Sequence, residues 1–204
     1  MTSRHTASLR RTVLVVAALN LAYFVVELTV ALGAGSVALL ADSVDFLEDT
    51  AINLLVALAL TWPLARRARM GRVMAALILL PAAAAAWEAV QRFGSPTPPD
   101  ALPLVVASAG AIVVNGVSAW LLARSHHQGG ALGRAAFLSA RNDVVVNVAI
   151  IAMGLLTAQT GSGWPDLVLG CAIILLALHA SHEVWEVGEE ERLAAKAIVG
   201  DDLG

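Results

Sequence analysis

The sequence predicts an all-α membrane protein built as a bundle of six transmembrane helices. Hydrophobic residues make up 58% of its 204 residues and charged residues only 14%, about half the charged share of a soluble domain. Six apolar segments are each long enough to cross a bilayer as a helix. Short stretches rich in Gly, Pro and Ser separate them. Because the basic residues are scattered through these stretches, we expect no nucleic-acid partner.

The six predicted helices follow from the positions of the apolar segments and their separators. The first segment is longer than the core of a signal peptide, which is roughly 7 to 15 residues, and is therefore expected to be a retained helix. Residues 1–11 and 183–204 are expected to be a basic N-terminal tail and an acidic C-terminal tail, flanking a transmembrane domain at 12–182. The predicted helices are 12–32, 37–60, 73–90, 102–123, 134–158 and 165–180.

The placement of Arg and Lys predicts the orientation of the bundle. If the chain crosses six times, nearly all basic residues outside the apolar segments fall on one side and only Arg92 falls on the other. Basic residues favour the cytosolic side of a membrane, so both termini are expected in the cytosol of a multi-pass cell-membrane protein. A composition rich in Ala and Arg, with Lys196 as its one lysine, favours a bacterial source.

Two aspartates lie one helical turn apart in the middle of the second predicted helix. A carboxylate near the centre of a bilayer costs about 2.5 to 3.5 kcal/mol on insertion scales. Asp45 and Asp49, at spacing i and i+4, also repel each other. A bound cation or bound protons would offset this cost, so the pair predicts a functional site.

A third aspartate is predicted at the same membrane depth. The second helix enters from outside, which puts Asp45 and Asp49 roughly 12 to 18 Å into the membrane at 1.5 Å per residue. The fifth helix enters from inside, and Asp143 then lies about 13 Å in. We therefore expect one shared divalent-metal site, whose oxygen ligands suit hard cations. Further candidates for the metal or its pathway are Glu27, Asp42, Ser139, Asn142 and Asn147.

Several of these residues also admit structural interpretations. Asp42 is compatible with a neutral, hydrogen-bonded role, and Asp143 with an ion pair to Arg141, although their faces differ. Ser139 is compatible with a hydrogen bond to its own helix. The amides are compatible with contacts between helices, and the histidines with solvated positions. These are Asn115, Asn142 and Asn147, and His126, His127, His179 and His182. Glu27, which shares a helix face with Asn20, is also compatible with a buried hydrogen bond or with snorkelling near the helix end.

At these residues the chain resembles the cation diffusion facilitator (cation efflux) family of metal exporters. The resemblance is strongest in 20–27 and 35–49 and continues in 87–93, 115–122 and 143–147. It implies a six-helix bundle that binds a divalent metal between the second and fifth helices. It also implies export by alternating access, usually in exchange for protons, with Asp45, Asp49 and Asp143 as ligands. The implied cargo is zinc, with manganese, cobalt or iron as alternatives, and no resident cofactor is implied.

Two features depart from the family pattern. Ser139 stands where the family has a histidine on the fifth helix. This removes a nitrogen ligand and a proton carrier, so the identity of the metal and of the coupling ion stays open. The short tail after the sixth helix also implies a short form without the family's cytosolic C-terminal domain. Any homodimer is then expected to form through the membrane helices.

Two other functions compete with transport. A membrane phosphoalcohol transferase would hold metal on clustered aspartates, but Asp42-x-x-Asp45 is followed by Phe46, where such enzymes have Gly. We therefore expect that the protein is not an enzyme. The missing histidine and missing domain favour a second alternative, a non-transporting or regulatory membrane subunit derived from a transporter.

Overall fold

A computed structural model describes residues 3–59, 61–125 and 130–201. Within these ranges it does not describe the side chains of 130–141 and of some other residues. Within these ranges the chain forms six α-helices and no strand. The prediction of an all-α, six-helix membrane fold is confirmed. The helices are α1 (Ser3–Ala34), α2 (Val37–Ala59), α3 (Leu64–Arg92), α4 (Ala101–Ser125), α5 (Gly130–Thr160) and α6 (Trp164–Asp201).

The helices continue beyond the predicted membrane segments. α1 begins at Ser3, inside the predicted tail, and α6 runs on to Asp201, through the segment predicted as an acidic tail. Hydropathy marks only the part of a helix that crosses the bilayer. Outside that part the sequence is rich in Ala, Leu, Glu and Arg, which are strong helix formers in water, so the same helix continues.

α2 is an apolar helix that carries four acidic residues, and it lies in the interior of the bundle. Four other helices carry an apolar stretch long enough to span a membrane, namely α1, α3, α4 and α5, and α6 carries a shorter one at Trp164–His179. α2 packs against α1, α3 and α6 and touches α5 over a short stretch. Its four carboxyl groups are thereby kept from lipid, at Asp42, Asp45, Glu48 and Asp49.

Large apolar side chains cover the outside of the bundle. Leu80, Val90, Leu102 and Leu175 each expose about two thirds or more of their surface. Such continuous apolar exposure is unfavourable in water and is expected where a protein faces lipid. The outer surface therefore agrees with the membrane location that the helix lengths predict.

Side chains from several helices brace the turn between α1 and α2. Gly35 adopts a left-handed conformation with φ of 66°, and its N–H donates to the Ala31 carbonyl at 2.9 Å, which ends α1. Arg92 of α3 donates to the Gly35 carbonyl and pairs with Glu88 at 2.6 Å. Arg92 is the basic residue predicted on the side of the membrane opposite the others. Its contacts give it a structural role at the turn between α1 and α2.

α6 approaches the first turn of α2 at a glycine. A Cβ atom added to Gly170 would lie 2.7 Å from Val37 Cγ1 and 2.8 Å from the backbone nitrogen of Ala38. Backbone atoms cannot rotate away as a flexible side chain can. The two helix backbones therefore pack closely here because the residue on α6 has no side chain.

Replacing Gly170 with alanine is expected to destabilise the protein by about 1 to 3 kcal/mol, because the added methyl overpacks a rigid contact. Unfolding in detergent, followed by circular dichroism, measures this loss. Gly116→Ala is the matched control, since a Cβ there meets nothing within 4 Å and alanine favours a helix. Equal stability of Gly170→Ala and the parent protein would contradict the close packing of α6 on α2.

Candidate metal site

The candidate site begins with one stripe of polar residues along α2. Asp42, Asp45, Asp49 and Asn53 follow each other at three- and four-residue spacing, which places them on one face of a helix. Asp42 is 1% exposed and Asn53 is buried, whereas Asp45 and Asp49 are half-buried. The stripe therefore faces the interior of the bundle.

An asparagine on α1 binds one of these carboxylates. The Nδ2 of Asn20 donates a hydrogen bond to Oδ2 of Asp49 at 3.2 Å, and Asn20 is fully buried. The sequence placed this residue only on the same helix face as Glu27, since no spacing within one helix reveals which residue lies opposite on another. Asn20 is therefore a site residue that the sequence analysis missed. It orients the Asp49 carboxylate.

α5 contributes two inward-facing residues. Asn147 is fully buried, and its Nδ2 donates to the backbone carbonyl of Asp143 at 3.1 Å. The Oδ2 atom of Asp143 is buried and has no hydrogen-bond partner among the described residues. Asn142 is exposed and lies apart from the other candidates. The side chain of Ser139 lies outside the described residues.

The acidic residues of α2 and α5 act on each other electrostatically. Asp45 experiences the charges of Asp42, Asp49 and Asp143, and Asp143 experiences those of Asp42 and Asp49. In the described part of the chain, however, no three His, Cys, Asp or Glu side chains converge closely enough to hold a metal ion. The short contact between α2 and α5 accounts for this spacing, because it leaves Asp143 beside the α2 stripe rather than within it.

A second polar contact lies where α1 and α5 meet α2. Glu27 of α1 and Asp42 of α2 are both buried, at 0% and 1% exposure, and their carboxyl groups lie near enough to influence each other. Neither Glu27 oxygen has a hydrogen-bond donor among the described groups, and the Asn147 side chain also reaches Asp42. Glu27 therefore adds a buried carboxyl group from α1 at the Asp42 end of the stripe.

His182 lies outside this cluster. His182 pairs with Glu186 at 3.3 Å, and both side chains are exposed on α6. His126 and His127 lie outside the described residues. The described part of the chain thus offers carboxylate and amide oxygens in its interior, and these are ligands that suit hard divalent cations.

Two zinc transporters are similar to this chain in sequence. The zinc transporter ZitB of Pectobacterium atrosepticum is 28% identical over 199 residues, covering 88% of this chain and 62% of that protein. ZitB of Escherichia coli strain K12 is 28% identical over 171 residues, covering 78% of this chain and 55% of that protein. The chain thus spans little more than half the length of these relatives.

A family model supplies the assignment. The model described as the cation efflux transmembrane domain matches residues 13–189. The match extends from α1 into α6 and includes the polar stripe of α2 and the inward-facing residues of α5. It covers most of the chain, and the protein therefore belongs to the cation efflux family.

Proposed function

We propose that the protein exports divalent transition-metal ions from the cytosol in exchange for protons, and that Asp45, Asp49 and Asp143 bind the transported ion. The observation that carries this proposal is the inward-facing acidic stripe of α2, beside which Asp143 of α5 holds a buried carboxylate oxygen with no hydrogen-bond partner among the described residues. Membership of the cation efflux family supports a cation as the cargo.

Zinc is the proposed main substrate, with manganese, cobalt and iron as further candidates. The relatives named above are zinc transporters, which supports zinc. The ligands proposed here are all carboxylates, however, and Ser139 stands where the family resemblance implies a histidine. Oxygen ligands discriminate less strongly in favour of zinc than nitrogen ligands do. We therefore expect a broader metal range than a histidine-containing site has.

The proposed transport cycle depends on movement of α5 relative to α2. A metal ion would draw Asp143 toward Asp45 and Asp49, because the ion cancels the repulsion among three carboxylates. The small contact between α2 and α5 leaves room for this approach. Asn20 keeps Asp49 oriented during the approach through its hydrogen bond. When the ion leaves, protons replace it, since neighbouring carboxylates cannot all stay ionised.

The proposed direction of transport follows from the basic residues. Arg10, Arg11, Arg66, Arg69 and Arg124 are exposed at one end of the bundle, opposite the braced turn between α1 and α2. We assign this end to the cytosol because basic residues favour that side. The termini then lie in the cytosol.

Asp49→Ala and Asp143→Ala are expected to slow metal transport by at least roughly tenfold, because each removes a proposed ligand. Zinc uptake into proteoliposomes with an enclosed zinc-sensitive dye measures this effect. Asp100→Ala is the matched control, because Asp100 is exposed at the start of α4. Parent-like transport by Asp49→Ala would refute the site. If the parent protein moved none of the four metals, the non-transporting subunit would be the better assignment.

Asn20→Ala is expected to weaken zinc binding roughly tenfold, because the Asp49 carboxylate loses the amide that orients it. Titration calorimetry on the purified protein measures the dissociation constant. Asn115→Ala removes another buried amide, on α4, and should leave zinc binding close to that of the parent. Equal losses in both variants would indicate general loosening of the bundle and would contradict a specific role for Asn20.

Ser139→His is expected to raise the preference for zinc over manganese, because an imidazole ligand favours zinc whereas carboxylates suit manganese. The ratio of zinc to manganese transport rates in the same proteoliposomes measures this change. Ser139→Ala serves as the control and should leave the ratio unchanged. An unchanged ratio in Ser139→His would show that residue 139 does not face the transported ion.

A further inference from the structure

A carboxylate from α6 caps the N-terminus of α2. The first N–H groups of a helix have no partner within the helix and need acceptors from elsewhere. Asp166, which is 3% exposed, accepts a hydrogen bond from the Val37 N–H at Oδ2, at 2.7 Å. Its Oδ1 accepts from the Ser36 hydroxyl at 2.5 Å and, more weakly, from the Ala38 N–H at 3.4 Å. Both oxygens of Asp166 therefore bind the same helix end.

Ser36 completes the cap from within the chain that enters α2. Its Oγ accepts a hydrogen bond from the Leu39 N–H at 3.0 Å while donating to Asp166. Ser36 is also buried, so water cannot readily substitute for these bonds. Three successive N–H groups at the start of α2, those of Val37, Ala38 and Leu39, thus depend on Asp166 directly or through Ser36.

The cap lies in a rigid part of the bundle. One helical turn beyond Asp166, Gly170 brings the α6 backbone against Val37 and Ala38. Trp164, two residues before Asp166, packs edge-on against Phe93 at 5.6 Å between ring centroids. The carboxylate is therefore held in place on α6, and together with the Gly170 contact it holds the first turn of α2.

Through this cap, α6 fixes where the metal ligands of α2 point. Asp45 follows Val37 by eight residues, or about 12 Å along the axis. A helix is stiff over this length, and each residue advances its direction by about 100°. A rotation or axial shift at the first turn is therefore transmitted to the stripe that faces α5.

We propose that Asp166 is a positioning residue for the metal site, acting from α6 by fixing the rotation and height of α2. This inference rests on the function proposed above. Asp166 does not contact the metal, and its effect reaches the ion only through the placement of Asp45 and Asp49. No sequence pattern indicates this role, because Asp166 resembles an ordinary acidic residue in the first turn of its own helix.

Asp166→Ala is expected to raise the zinc concentration for half-maximal transport roughly tenfold, since a lost cap of ordinary strength corresponds to about that factor. Asp166→Asn should lie between Asp166→Ala and the parent. Its amide oxygen can still accept from the Val37 N–H while its NH₂ group donates to Ser36 Oγ. Zinc uptake into proteoliposomes measures both. Partial rescue by asparagine supports the cap, whereas a half-saturating concentration unchanged in Asp166→Ala would overturn the proposal.

Two measurements test the positioning role without relying on transport. Amide hydrogen exchange at 37–39 should become faster in Asp166→Ala, and the distance between spin labels at Ile52 of α2 and Val148 of α5, both exposed, should shift or broaden. Asp100→Ala, an exposed carboxylate at the same end, should change neither. If the exchange rate and the spin-label distance change in Asp166→Ala while the parent protein transports no metal, the proposed function is wrong but the role of Asp166 in positioning α2 is supported. If they do not move, the cap fails whatever the transport result.

Discussion

The structure depends on the burial of carboxylates inside a membrane helix. α2 carries four of them, and each would be costly if it faced lipid. The other helices solve this by surrounding α2 and by presenting amide groups to it, from Asn20 on α1 and from Asn147 on α5. These partners are fully buried. The bundle can therefore be understood as an apolar enclosure that keeps a row of acidic groups away from the bilayer.

The two sides of α2 are held very differently. Toward α6 it is fixed by hydrogen bonds to Asp166 and by backbone contact at Gly170. Toward α5 its contact is short, and the acidic groups there repel each other. α2 is thus attached strongly to α6 and weakly to α5. This difference suits the proposed movement of α5 relative to α2 when a cation binds. Under the proposed function, occupancy of the site would change the α2–α5 spacing while the α6 side of α2 stays fixed.

Composition and periodicity predicted the fold class, the number of helices and the acidic stripe, because each depends on residues close together in one chain segment. Helix ends were less predictable, since good helix formers continue α1 and α6 into water. The roles of Asn20 and Asp166 could not be predicted, because a hydrogen bond between two helices leaves no repeat in either sequence. Asn142 was included among the candidates, but its side chain is exposed. It is adjacent to Asp143 in sequence, and the 100° step between neighbouring residues of a helix turns it to a different face.

The two-residue connection between α1 and α2 also bears on how the protein enters the membrane. Only Gly35 and Ser36 separate the helices, so neither helix can be far from the other during synthesis. α2 alone is a poor substrate for insertion because of its carboxyl groups, whereas α1 is long and apolar. The pair is therefore expected to enter as a helical hairpin, in which α1 supplies both the hydrophobic driving force and the first hydrogen-bond donor for Asp49.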